Sequence, residues 1–133
     1  MSLALVTSGY FMLATISFLG MGDIVTSDSF EWLFNNPKIV KASELVGRLM
    51  DDMVSHKFEQ KRGHVASAVE YAAWKNMVSL KKAKTALTRQ VDNAWKDINE
   101  GLLKISTVPS PLLIRVLNLS RVIEVLYEEN NKQ

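Results

Sequence analysis

Asp51, Ser55 and Glu59 recur at intervals of four residues. On a helix each such step turns only about 40° around the axis, so the three share one stripe. Two carboxylates and a hydroxyl then point the same way. All are hard oxygen donors, the class that Mg²⁺ prefers. The ends of the stripe are about 12 Å apart along the axis. Helical side chains lean towards the N-terminus, so Glu59 reaches back over Ser55 while Asp51 closes from the other end. A site of this kind leaves coordination positions open, which Mg²⁺ fills with water and substrate phosphate. Paired acids on an exposed helix are usually only a solvated face, and that alternative stands beside the chemical one. Two details favour chemistry. Arg48 lies three residues before Asp51 on the same stripe and places a phosphate-binding cation beside the metal ligands. Ser55 has weak helix propensity, and a plain surface helix gives no reason to select it.

The stripe needs a long helix. Asn36 as N-cap and Pro37 at the first helical position start one. Lys61 and Arg62 suit its last turn, and Gly63 can supply a left-handed terminator. Gly47 inside it costs about 1 kcal/mol relative to Ala, understandable if a backbone or ligand approaches closely. A second helical segment is expected from about Val65 to Lys75. A third begins after Ser79 and buries Leu80, Ala83, Leu87, Val91, Ala94, Trp95 and Ile98 at helical period. Thr107-Val108-Pro109 forms a turn. Ser110-Pro111 opens a last helix burying Leu112, Val116, Leu119, Val122, Ile123 and Leu126. No internal repeat and no alternating run argues for a sheet.

Asp51-Asp52-x-x-Ser55-x-x-x-Glu59 resembles the second metal-binding motif of class I terpene synthases. Flanking segments keep the resemblance in register. Upstream, Phe30-Glu31-Trp32-Leu33 leads through Asn36-Pro37-Lys38-Ile39 to Arg48. Downstream run Lys61-Arg62-Gly63-His64-Val65-Ala66-Ser67-Ala68-Val69-Glu70 and Ala94-Trp95-Lys96-Asp97-Ile98-Asn99-Glu100. Together these are similar to plant sesquiterpene synthases of the cadinene and germacrene type. The resemblance implies an all-α chain, residues 1–133 forming the C-terminal helices of the terpenoid synthase (isoprenoid synthase) fold. It implies Mg²⁺, with Mn²⁺ an alternative, a prenyl diphosphate substrate (farnesyl diphosphate first), and ionisation followed by cyclisation. By that resemblance Asp51, Ser55 and Glu59 hold one ion, Arg48 binds diphosphate, Asp52 orients a neighbour, and Tyr127 lies near the reacting cation. Leu13-Ala14-Thr15-Ile16-Ser17-Phe18-Leu19-Gly20 resembles the family's broken helix, with Thr15, Ile16 and Ser17 lining the cavity. Ser and Thr can satisfy groups freed by a break; an unbroken buried helix is the alternative.

The chain contains neither the family's Asp-Asp-x-x-Asp motif nor its Arg-x-Arg pair. It is therefore expected to be an incomplete fragment, inactive alone. Two other classes compete: a helical interaction module that self-associates through exposed apolar surface, and a membrane-anchored peptide using the uncharged Met1–Gly22 stretch. That stretch lacks a basic leader region, and its Thr, Ser and Gly content fits a buried helix.

Apolar residues make up 47% of the chain, enough for a core, and charged residues 23%. A net charge of +2 is too small to argue for nucleic acid or an anionic membrane, so neither is an expected partner. No Cys is present, which removes thiolate metal sites and fits a reducing, cytoplasmic location. His56 and His64 have no standard metal spacing, and an ion pair between His56 and Asp52 is the cheaper reading. Trp74 and Trp95 read as core or interface aromatics. After Glu70 the chain departs from the family, with Tyr71-Ala72-Ala73-Trp74-Lys75-Asn76-Met77 replacing a Gly-containing turn. Lys81, Lys82, Lys84 and Arg89 without interleaved aromatics read as a solvated face.

Overall fold

The computed structural model describes residues 9–59 and 68–131. Every regular element among them is helical. The order is α1 (Tyr10–Leu19), a single 3₁₀ turn (Gly22–Ile24), α2 (Ser27–Phe34), α3 (Lys38–Glu59), α4 (Ala68–Asn76), α5 (Leu80–Leu103) and α6 (Ser110–Asn131).

α3 is the central rod. It buries Ile39, Val40, Ala42, Val46 and Leu49 and packs most extensively on α5 and α6. From α5 come Ala83, Leu87, Val91, Ala94 and Ile98, one face at helical spacing. From α6 come Leu112, Leu113 and Val116. Gly101 marks a tight approach of α5 to α3: a Cβ there would lie 2.9 Å from Ile39 Cβ. Between α3 and α6 two buried hydroxyls, Ser43 and Ser120, hydrogen-bond to each other, and Ser120 donates to the Val116 carbonyl at 3.3 Å. The pair satisfies polar groups that would otherwise be costly to bury. At the surface Lys38 bridges to Asp97 at 3.2 Å and Glu100 at 3.0 Å, joining the start of α3 to α5. Hydrogen bonds and charge from Lys104 and Lys38 hold the Glu100 carboxyl down to about 2.

The helix starts follow local chemistry. Ser79 caps α5 by accepting from the Lys82 N–H at 3.3 Å. α3 begins one residue later than expected. Lys41 N–H donates to the Pro37 carbonyl, while Asn36 adopts φ 51°, a left-handed conformation that Asn tolerates. The expected terminator at Lys61–Gly63 and the Val65 start lie outside the described residues.

Three burial expectations are corrected. Leu80, Val122 and Leu126 are exposed. Leu80 sits in the first turn of α5, before the helix reaches the core. Val122 and Leu126 lie on the half-exposed part of α6, beyond the buried Leu112, Leu113 and Val116. Of the two readings for Trp74, core or interface, its exposure removes the first. The described part of the uncharged N-terminal stretch is half-buried: Tyr10, Ala14 and Phe18 face inward, whereas Met12, Leu13, Ile16 and Leu19 face out. No helix among the described residues is long and apolar enough to cross a membrane.

Candidate active site

α1, α3 and α6 meet around a cavity of about 400 Å³ lined by Tyr10, Leu13, Gly47, Arg48, Asp51, Ile123 and Tyr127. Arg48 and Asp51 reach it from one turn of α3 because they are three residues apart on one face. Gly47 permits the approach: a Cβ there would meet the Ile123 methyl at 3.1 Å and the Tyr10 ring at 3.9 Å. The close neighbour that Gly47 implied is therefore a pair of side chains.

The polar groups are tied together. The Tyr127 hydroxyl donates to Asp51 Oδ1 at 2.7 Å, linking helices 76 residues apart in sequence. Burial, then the bond to Asp51, then the charges of Asp51 and Asp52 push the phenol up to about 12. Tyr127 is thus a neutral donor across physiological pH. Arg48 Nε lies 3.2 Å from Asp52 Oδ2. Asp52 is nearly fully buried, so this pair is screened little and fixes the guanidinium beside the cavity. His56, the partner expected for Asp52, has a side chain outside the described residues.

α3 runs through positions 51, 55 and 59, which therefore share one side of its backbone. The side chains of Ser55 and Glu59 fall outside the described part. Among the described residues no group of three or more His, Cys, Asp or Glu gathers to hold a metal. Asp51 nevertheless fits a Mg²⁺ site in type and setting: a hard carboxylate at a cavity, hydrogen-bonded from behind and flanked by a phosphate-binding cation.

Thr15, Ile16 and Ser17 are not brought to this cavity. α1 is unbroken through them; Thr15 Oγ1 donates to the Phe11 carbonyl at 2.8 Å, the ordinary bond back along a continuous helix. The helix gives way only at Gly20, before the 3₁₀ turn. No break occurs at Thr15–Ser17, so the alternative of an unbroken helix holds there, and α1 lends Tyr10 and Leu13 to the cavity instead. Neither residue carried a signal in the sequence beyond apolar period.

A second cavity, about 970 Å³, lies on another side of α3 and is lined among others by Phe11, Met12, Phe34, Lys41, Glu44 and Asp97. None of the expected site residues lines it.

Comparison with known proteins identifies the family. The profile of the terpene synthase family, metal binding domain, matches residues 1–97. A (-)-germacrene D synthase of Vitis vinifera is 58% identical over 131 residues, which are 98% of this chain and 24% of that protein. Sesquiterpene synthase 2 of Toona sinensis is 56% identical over the same share of each chain. The crystal structure of isoprene synthase from grey poplar leaves (Populus x canescens), in complex with three Mg²⁺ ions and dimethylallyl-S-thiolodiphosphate, superposes with a TM-score of 0.83. It is 22% identical, and the match covers 93% of this chain and 24% of that one. The chain thus spans about a quarter of the length of the relatives it matches. The helical fold and these likenesses agree: the chain belongs to the terpene synthase family, as part of its metal-binding domain.

Proposed function

We propose that this chain supplies part of the active site of a sesquiterpene synthase, a cytoplasmic, Mg²⁺-dependent lyase that ionises and cyclises farnesyl diphosphate. The observation that carries the reading is the convergence of Asp51, Arg48 and Tyr127 on one cavity between three helices. Asp51, with Ser55 and Glu59 further along α3, would hold one ion; Mn²⁺ is an acceptable substitute. When bound, the ion supplies Lewis-acid neutralisation of the leaving diphosphate. Arg48 grips a diphosphate oxygen, and Asp52 keeps the guanidinium aimed. Tyr127 orients the Asp51 carboxylate through its hydrogen bond and stays protonated while doing so. Tyr10, Leu13 and Ile123 provide apolar walls that exclude water from an allylic cation.

The test is a graft. This chain replaces the corresponding quarter of the Vitis vinifera (-)-germacrene D synthase, and hydrocarbon release from farnesyl diphosphate is measured with Mg²⁺. Turnover is expected. Asp51→Asn in the graft should lower kcat at least about a hundredfold, the size of losing one strong charge contact to the departing group. A well-folded graft in which Asp51→Asn changes kcat less than twofold would refute the assignment.

A second reading is supported by one observation. α1 exposes Leu13, Ile16 and Leu19, and α6 exposes Val122, Val125 and Leu126. The two helices pack together, so these residues suit self-association. A monomer by size-exclusion chromatography across a wide concentration range would exclude it.

A further inference from the structure

We propose that the junction of α4 and α5, from Trp74 to Lys84, seats the protein on an anionic phospholipid surface. Its apolar tip enters the headgroup region and its lysines bind lipid phosphates and carboxylates.

The sequence concentrates charge here. No Asp or Glu occurs between Glu70 and Asp92, while Lys75, Lys81, Lys82, Lys84 and Arg89 do. The small net charge of the whole chain conceals this local excess, so the total is a poor guide to whether an anionic membrane is a partner. All five cations are exposed. Lys81 and Lys82 stand in the first turn of α5, where the helix dipole opposes positive charge. An anionic surface relieves that opposition.

Apolar groups project among these cations. Trp74 is 76% exposed, Met77 90%, Leu80 45% and Val78 36%. The backbone holds them outward. Val78 N–H donates to the Ala73 carbonyl at 3.1 Å, closing a Schellman-type end to α4, and Met77 occupies its left-handed position at φ 52°. That position favours glycine. A methionine there carries backbone strain and an exposed apolar side chain, neither of which helps the fold. Behind the tip the support is firm. Ala72 and Ala73 pack against the core, and Ala83 and Leu87 are buried in it.

The combination selects lipid over an acidic protein. Lys is depleted from the cores of protein interfaces. An exposed Trp with apolar neighbours and flanking lysines is the pattern of a membrane interface, where the indole sits among headgroups and each ammonium reaches anionic lipid.

Co-sedimentation of the full chain with vesicles tests this. It should pellet with phosphatidylcholine–phosphatidylserine vesicles, not with phosphatidylcholine alone, and binding should fall as salt rises. Each lysine removed should weaken binding about fivefold, so the Lys81→Gln/Lys82→Gln pair should cost about twenty-five-fold. Trp74→Ala with Met77→Gly should also abolish pelleting. Met77→Gly by itself should melt no lower than the parent, which separates lost binding from lost fold. Asp51→Asn should leave pelleting unchanged. Equal pelleting with neutral vesicles, none with anionic ones, or tighter retention on polyglutamate than on vesicles would each overturn the proposal.

Discussion

At the residue scale the site turns on the contact between Tyr127 and Asp51. The sequence made Asp51 legible, because an acid that begins a four-residue repeat beside Arg48 is a recognisable chemical pattern. It could not show that Tyr127 closes on that acid, because the two are separated by 76 positions and only the packing of α6 on α3 brings them together. The contact has a pH signature. Tyr127 is raised from an ordinary 10.0 to about 12. The native state therefore keeps the phenolic proton where the unfolded chain releases it. The stabilisation is fully present below pH 10 and is lost as pH rises from about 10 to about 12. Tyr127→Phe should lessen the alkaline slope in a pH series of thermal melts, leaving the part contributed by the buried Tyr10 phenol, which is also raised. It should also weaken divalent-metal affinity about tenfold, the cost of losing a group that orients a ligand. An unchanged alkaline slope would place the hydrogen bond elsewhere.

At the element scale the sequence was informative wherever chemistry was local. The Ser79 cap and the period of Ala83, Leu87, Val91, Ala94 and Ile98 correctly located α5. Apolar period alone cannot say how much of a face is covered. Leu112 and Val116 are fully buried, while Val122 and Leu126, on the same helix, stay more than half exposed. The continuity of α1 had a similar cause: Thr15 has the chemistry to serve a break or an intact helix, and here it bonds within an intact one. Gly101 went unremarked in sequence, because only the crossing of α5 over α3 makes its missing Cβ matter. Gly101→Ala should destabilise the chain by about 1–3 kcal/mol, the usual cost of overpacking, because the new methyl would meet the Ile39 Cβ rather than a flexible side-chain end. Chemical denaturation gives the value directly; a change within about 0.5 kcal/mol would mean that the helices separate easily.

At the scale of the whole molecule, resemblance carried more than composition. Length, charge and hydropathy fit many helical proteins. The motif with its flanks agreed with the family, and similarity over 98% of the chain bears that out. Composition averaged away the most uneven feature, the cation-rich apolar junction of α4 and α5. The cations were visible in sequence and read as a solvated face; the apolar tip beside them, Trp74, Met77, Val78 and Leu80, emerged only when exposure could be assigned residue by residue. The two features are independent: one lies where α1, α3 and α6 meet, the other at the turn before α5. The metal stripe remains the centre of the account. Its most direct test is Mn²⁺ binding to this chain in the presence of inorganic pyrophosphate, followed by electron paramagnetic resonance. Bound Mn²⁺ should be seen with the parent chain and with an Glu31→Gln control on α2, and should be lost with Asp51→Asn. Equal binding by the parent and Asp51→Asn would contradict the assignment of α3 as the metal-bearing helix.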